Sequence, residues 1–417
     1  MRRALTICSF FFTILLFNAS FSTSNVRASL EISKGVIPEH YIVVLDDDIT
    51  RSIPDVANEM ARTHGLTIGH VYRHALKGFS ARIPDQRLKV LKRDPRVKRI
   101  DADRIIYAMP KPPGKGKPGN GDNTPPPQKL PTGVNRIDAE LNTTSRPVDV
   151  DIAIIDTGID LDHPDLNVVD NVAFVNSKNG GDDDNGHGSH VAGIAAARDN
   201  DIGVVGVAPG ARLWAVKVLD RRGRGSWSSV IAGIDYITSK ANQIKVANMS
   251  LGGSGSDTES SFRMAIENSV AAGITYVVSA GNEAGDAKNY VPAAYDSVIT
   301  VSAIADSDGK RDALGPDTSY GPDDTFATFS NFGMDVDIAC PGVDILSCWK
   351  NGGYNTISGT SMSAPHVTGA AALYISNYQG VVSPNDVGSA LIYSGEFGGF
   401  TGDPDNFQEP LVNASGL

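Results

Sequence analysis

Gly359-Thr360-Ser361-Met362-Ser363-Ala364-Pro365-His366 is the stretch on which the reading of this chain turns. Its glycine lets the backbone bend sharply, and the small and apolar residues from Ser363 to Tyr374 predict a buried helix. Ser361 at that junction directs its hydroxyl into a cleft beside helix N-terminal amides. A serine hydroxyl is a weak nucleophile at neutral pH unless a base takes its proton. A nucleophilic role therefore requires a base, and an acid that orients it, elsewhere in the chain.

Both are present. The β-branched, mostly apolar run Val148 to Ile155 predicts a buried parallel strand. It ends in Asp156-Thr157-Gly158, which puts a carboxylate at the carboxyl edge of a sheet, where open α/β folds build their sites. His187 lies in Asn185-Gly186-His187-Gly188-Ser189-His190-Val191-Ala192-Gly193, flanked by glycines and followed by a small-residue helix. A further strand, Ile274 to Ser279, runs into Ala280-Gly281-Asn282-Glu283, where the Asn282 amide could donate to an oxyanion. Taken singly, Asp156 reads as a strand-end turn, His187 as a helix cap and Asn282 as a turn residue.

With four such motifs in the order Asp, His, Asn, Ser, the chain resembles the subtilisin-like serine peptidases, the subtilase family, over residues 128–417 and in the segment before them. The resemblance implies that His187 takes the proton of Ser361, that Asp156 orients the imidazole, and that Asn282 and the Ser361 N–H hold the oxyanion. It also implies two backbone strips for substrate, Ser250-Leu251-Gly252 on one side and Gly223 to Gly225 on the other, with Ala280 and Gly281 walling the pocket before the cut. Trp227 and Leu251 would line a more distant apolar subsite. Arg198-Asp199-Asn200-Asp201-Ile202-Gly203-Val204 resembles the family's calcium loop. By that likeness Asn200, the carbonyls of Arg198, Ile202 and Val204, Asp165 and Gln128 would supply oxygen ligands for Ca²⁺. His190, three residues after His187, reads as a packing residue, since no His-Glu-x-x-His pattern for zinc occurs. Asp182-Asp183-Asp184 reads either as a solvated acidic loop or as a preference for basic residues in the cleft.

Residues 30–109 predict a small α+β, ferredoxin-like domain: strands at Tyr41–Leu45, Gly78–Ile83 and Val97–Ala108, helices at Ile53–His64 and Pro84–Lys92, and Ser52 as an N-cap. Tyr41-Ile42-Val43 and Gly78-Phe79-Ser80-Ala81 resemble the inhibitory propeptide of subtilases. That likeness implies a folding aid whose C-terminal tail lies in the cleft like a product. Residues 110–127 are a Pro/Gly-rich linker. Self-cleavage is expected after Met109, although Pro110 suits the position after a cut poorly, so the cut is placed between Tyr107 and Gln128. From Gln128 onward, alternating strands and helices predict a mainly parallel sheet with helices on both faces.

Met1-Arg2-Arg3 followed by apolar Leu5 to Phe17 reads as a secretory signal, segment 1–22, with a signal anchor as the alternative. An exported, unanchored monomer is the expectation. Cys340 and Cys348 would be left after removal of Cys8 and could pair or stay free. Residues 1–127 carry 20 Lys/Arg against 12 Asp/Glu, whereas residues 128–417 carry 17 against 36. This opposition suggests that the two parts associate, and so acidic a main domain is a poor nucleic-acid binder. The expected activity is a secreted endopeptidase made as a self-processing zymogen, with broad preference for apolar or large residues before the cut. A catalytically inactive relative acting as a binding protein and a narrow processing peptidase are the rivals.

Overall fold

The computed structural model describes residues 35–108, 125–256, 258–378 and 380–417. The expected signal segment, most of the linker and the bond after Met109 lie outside the described residues. The first domain runs β1 (Val36–Leu45), α1 (Ile53–His64), β2 (Thr67–Tyr72), β3 (Gly78–Arg82), α2 (Asp85–Leu91) and β4 (Val97–Ala108). Its strands are antiparallel in the order β2-β3-β1-β4, the ferredoxin-like arrangement. Helix α1 buries Ile53, Val56, Ala57 and Met60, the i, i+3, i+4, i+7 stripe of an amphipathic helix. They close a core with Val43, Leu45, Phe79, Ala81 and Leu91. Ser52 occupies the N-cap position but makes no side-chain cap bond, and the helix is bounded instead by Pro54 and by Gly65 at φ 67°. Strand β2 was not foreseen in the sequence, because Gly69 and His70 interrupt its apolar alternation.

The second domain runs β5 (Asp151–Asp156), β6 (Val168–Ala173), α3 (His187–Ala196), β7 (Arg212–Lys217), β8 (Arg224–Ser226), α4 (Trp227–Thr238), β9 (Ile244–Met249), β10 (Leu251–Ser254), α5 (Ser261–Ala271), β11 (Thr275–Ser279), β12 (Tyr290–Val291), β13 (Ile299–Ala305), β14 (Thr325–Phe326), β15 (Ile338–Pro341), β16 (Ile345–Trp349), β17 (Gly353–Ile357), α6 (Thr360–Asn377) and α7 (Pro384–Ser394). The main sheet has the order β14-β13-β11-β9-β5-β7-β6, with β15 also on β13. Every pairing in it is parallel except β13 with β14.

Strand β5 shows why helices cover both faces. Ile152 and Ile154 pack with α3, α6 and α7, while Ala153 and Ile155 pack with α4 and α5. Alternate residues of one strand thus feed two apolar layers, which is why the run reads as continuously apolar. The carboxyl ends of β5, β9 and β11 then converge on one edge, where Asp156, Ser250 and Ala280 follow. Among the described residues no helix is long and apolar enough to cross a membrane. Cys340 and Cys348 are both free and buried, which resolves the open choice between pairing and free thiols.

Candidate active site

Helix α6 begins at Thr360, earlier than the predicted Ser363, so Ser361 lies in its first turn. Gly359 precedes it at φ 148°, a conformation side chains rarely adopt. Pro365, within this helix, has no N–H to give to the carbonyl four residues back, which is that of Ser361. That carbonyl instead accepts from Ser250 Oγ at 3.0 Å, and Ser361 Oγ donates to Ser250 O at 3.3 Å. The end of β9 and the start of α6 are thereby joined at the serine.

His187 opens α3, which packs against α6. Its Nδ1 lies 2.8 Å and 3.0 Å from the two oxygens of Asp156 at the end of β5. Asp156 is fully buried and also accepts the Thr157 N–H at 2.6 Å. The close approach of α3 needs Gly188, where a Cβ would come within 2.0 Å of the Gly158 carbonyl. Asn282 Oδ1 accepts the Thr360 N–H at 2.8 Å and the Thr360 hydroxyl at 2.9 Å, which orients the amide so that Nδ2 is its donating end.

Two residues that organise this edge escaped the sequence reading. Asp183 is neither solvated nor in the cleft. It is buried and accepts from Thr157 Oγ1 at 2.9 Å, from the N–H groups of Asn185, Gly186 and Ser189 at 2.9 Å each, and from Ser189 Oγ at 2.7 Å. It therefore ties the turn before His187 to the end of β5, although burial pushes its carboxyl up. Its neighbour Asp184 pairs at 2.7 Å with Lys217, whose side chain is buried. Carboxylate at the N-terminus of α3 was the available signal. Asn331 does the same for 280–285: its Nδ2 donates to Ala280 O at 2.9 Å, and its Oδ1 accepts from the N–H groups of Glu283 and Gly285 at 3.0 Å each. Gly281, at φ 114°, has no room for a Cβ beside Asn331 Nδ2, which would lie 2.2 Å away. His190 is held by the carbonyls of Ile345 and Asn355, both 3.0 Å from its Nε2.

Between the two glycine-containing strips lies β4. Ile105, Ile106 and Tyr107 pair antiparallel with Ser226, Gly225 and Arg224 of β8, and Tyr107 and Ala108 with Gly252 and Leu251 of β10. Ala108 N–H donates to Gly223 O at 2.8 Å. A Cβ on Gly225 would stand 2.4 Å from Val218 O, so only glycine lets this edge lie flat. Leu251 and Trp227 are buried against the strand, the Arg104 guanidinium lies 5.5 Å over the Trp227 ring, and Ala280 is buried in a separate cluster with Ala287, Ala293 and Val336. The first domain further caps two helices of the second. Asp103 accepts the Ser228 N–H at 3.0 Å at the start of α4, and Asp101 accepts the Ser261 N–H at 2.7 Å at the start of α5. Asp235 returns the contact by accepting the N–H groups of Arg73, His74 and Ala75. The opposite net charges of the two halves are thus not expressed chiefly as cross-domain ion pairs: the one between the described halves, Arg99 with Glu259, is long at 3.8 Å.

The calcium-loop residues also converge. Asp165 is fully buried and accepts from Asn200 Nδ2 at 2.9 Å, the Val204 N–H at 3.0 Å and Tyr354 OH at 3.2 Å. Its carbonyl accepts the Arg198 N–H at 2.9 Å, while Ile202 N–H donates to Asn200 Oδ1 at 2.8 Å. Gln128 Oε1 accepts the Asn200 N–H at 2.5 Å. Among the described residues no Lys or Arg pairs with Asp165, and burial pushes its carboxyl up. Asn200 thus presents Nδ2 to Asp165, and the Asn200 and Gln128 amide oxygens accept backbone N–H groups. What fits a hard divalent cation is the buried Asp165 carboxylate with no Lys or Arg paired to it.

Known proteins share this organisation. A family profile described as the Subtilase family matches residues 148–408, and one described as Peptidase inhibitor I9 matches residues 40–109. An extracellular serine proteinase of Thermus sp. (strain Rt41A) is 38% identical over 335 residues, which are 79% of this chain and 73% of that protein. Subtilisin J of Geobacillus stearothermophilus is 33% identical over 382 residues, 90% of each. The crystal structure of a cold adapted subtilisin-like serine proteinase superposes with a TM-score of 0.55 at 30% identity, covering 68% of this chain and 97% of that one. The chain belongs to the subtilase family: it is a subtilisin-type serine protease preceded by an I9 inhibitor domain.

Proposed function

We propose that this protein hydrolyses peptide bonds through Asp156, His187 and Ser361, and that its own first domain holds it inactive until processed. The observations that carry the reading are the Asp156–His187 pair and, with it, β4 lying as an extended peptide between two strips. Asp156 fixes the tautomer with the proton on Nδ1, leaving Nε2 to take the Ser361 proton as Oγ attacks the carbonyl. The acyl-enzyme forms as His187 returns that proton to the leaving amine, and water repeats the cycle. Asn282 Nδ2 and the Ser361 N–H stabilise the oxyanion.

Substrate adds as a strand between Gly223–Gly225 and Ser250–Gly252, as β4 does, with Ala280 and Gly281 beside the residue before the cut. The small and apolar walls favour broad specificity for apolar or large residues. Trp227 and Leu251 form the remoter apolar subsite. The domain plan is a signal at 1–22, an inhibitory domain at 30–109, a linker at 110–127 and the peptidase at 128–417, exported as a monomer and cut by itself in or near the linker. A Ca²⁺ ion held by Gln128, Asp165, Asn200 and the carbonyls of Arg198, Ile202 and Val204 would neutralise Asp165 and tie down the new N-terminus.

A fluorophosphonate probe tests the centre of this proposal. The processed protein should be labelled on Ser361, and absence of labelling favours the inactive-relative alternative. Ser361→Ala should accumulate as intact precursor; efficient cleavage of that purified variant refutes self-processing.

A further inference from the structure

Strand β13 runs into Asp306-Ser307-Asp308-Gly309, in which alternate aspartates meet a glycine at φ 75°. The turn that follows returns with Asp323-Asp324. One oxygen from each of Asp306, Asp308 and Asp323 lies within 4.8 Å of the others. Asp306 is 1% exposed and Asp323 3%, so two of the three carboxyls have left water.

Local donors satisfy only part of this charge. Asp306 Oδ1 accepts the Gly309 N–H at 3.0 Å. Asp323 Oδ1 accepts from Ser307 N–H and Oγ at 2.8 and 2.9 Å, and its Oδ2 from the Gly315 N–H at 2.9 Å. Asp308 Oδ1 accepts the Lys310 N–H at 3.0 Å. Asp306 Oδ2 is buried with no hydrogen-bond partner. An orphaned buried carboxylate oxygen is costly and calls for a ligand.

The nearby cations do not supply one. Arg136 is committed to Asp324 and Glu396, and Arg311 to Asp138 and Glu396. The Lys310 ammonium is 65% exposed and 3.5 Å from Asp308. Calcium–oxygen distances are about 2.3–2.6 Å, so two ligands of one ion stand up to about 5 Å apart. The three carboxylates are spaced accordingly.

We propose that Asp306, Asp308 and Asp323 bind a Ca²⁺ ion, in a site separate from the loop around Asp165. The ion meets the orphaned oxygen of Asp306 and pins the turn 306–324 onto the end of β13. Burial, with Asp324 and Asp323 nearby, pushes the Asp306 carboxyl up to about 7, and the Gly309 N–H and the Arg136 charge offset this only in part.

Titration calorimetry with CaCl₂ tests this on the full chain carrying Ser361→Ala to suppress self-digestion, after chelation and dialysis. Asp308 is only partly buried, so Asp308→Asn is the variant that preserves the fold, with far-UV circular dichroism as the check. The expected result is one calcium fewer per chain in Asp308→Asn and in Asp306→Asn than in the parent. Asp165→Asn should lose a different calcium, and the double variant Asp165→Asn/Asp308→Asn both. Unchanged stoichiometry in folded Asp308→Asn overturns the proposal, whatever Asp306→Asn does. Should Asp165→Asn keep the parent's stoichiometry while Asp308→Asn falls, the loop reading fails and this one stands.

Discussion

Replacing Asn282 by alanine isolates the oxyanion contact. The side chain makes two kinds of interaction. Its Oδ1 takes two bonds from Thr360, and its Nδ2 is the donor that the proposed mechanism directs at a developing negative charge. Only the second strengthens in the transition state, so its loss should lower kcat and leave KM nearly unchanged. The loss should be about a hundred- to a thousandfold, about 2.7–4 kcal/mol, the magnitude found for such a donor in subtilisin. The Thr360 contacts predict a graded companion. Thr360→Val removes the hydroxyl bond to Oδ1 but keeps the N–H bond, so it loosens the amide by about 1 kcal/mol, which is roughly fivefold in kcat. Initial rates on a chromogenic peptide, with the active fraction counted by fluorophosphonate titration, separate kcat from KM. If folded Asn282→Ala keeps kcat within threefold of the parent, or loses rate wholly through KM, Asn282 does not hold the oxyanion.

Asp103→Ala removes the first domain's cap on Ser228 and should weaken inhibition by about 1–2 kcal/mol, a five- to thirtyfold rise in the inhibition constant of the added domain; an unchanged constant refutes the cap's part in binding. If Asp165 and Asn200 hold calcium at about a hundred times its dissociation constant, chelation should cost about 2.7 kcal/mol, or roughly 5–10 °C in melting temperature. A melting curve indifferent to EDTA removes calcium from that loop. His366 is fully buried and its ring is pushed down to about 4. Being neutral when folded but titrating near 6.5 when unfolded, it contributes no pH dependence above about 6.5 and a growing penalty below, reaching about 3 kcal/mol near pH 4. Urea unfolding from pH 7 to 4.5 should therefore show a shallower pH slope in His366→Asn than in the parent, and identical slopes contradict the assignment.

Much of this protein is local in origin and was legible from the residue order. The alternating faces of β5 appear as a run of branched apolar residues, the αβ alternation follows from it, and α1 and β4 have their predicted ends. Gly188 and Gly225 mark places where backbone must approach backbone, Gly359 marks a turn at positive φ, and their positions point to the site before any coordinates. Periodicity and chain direction suffice for such features because each depends on neighbours a few residues away.

What only tertiary structure decided is which polar groups share a partner across long separations. Asp183 reads as one of three aspartates in a loop until the fold buries it under the turn of His187. Asp306, Asp308 and Asp323 come within reach of one another only when the turn after β13 closes. Burial and desolvation are properties of the packed chain, and they set the cost of a charge. The residue types and the order of the catalytic motifs were therefore fixed along the chain, while the pairing, shielding and charge state of its acidic groups arose only when distant segments met.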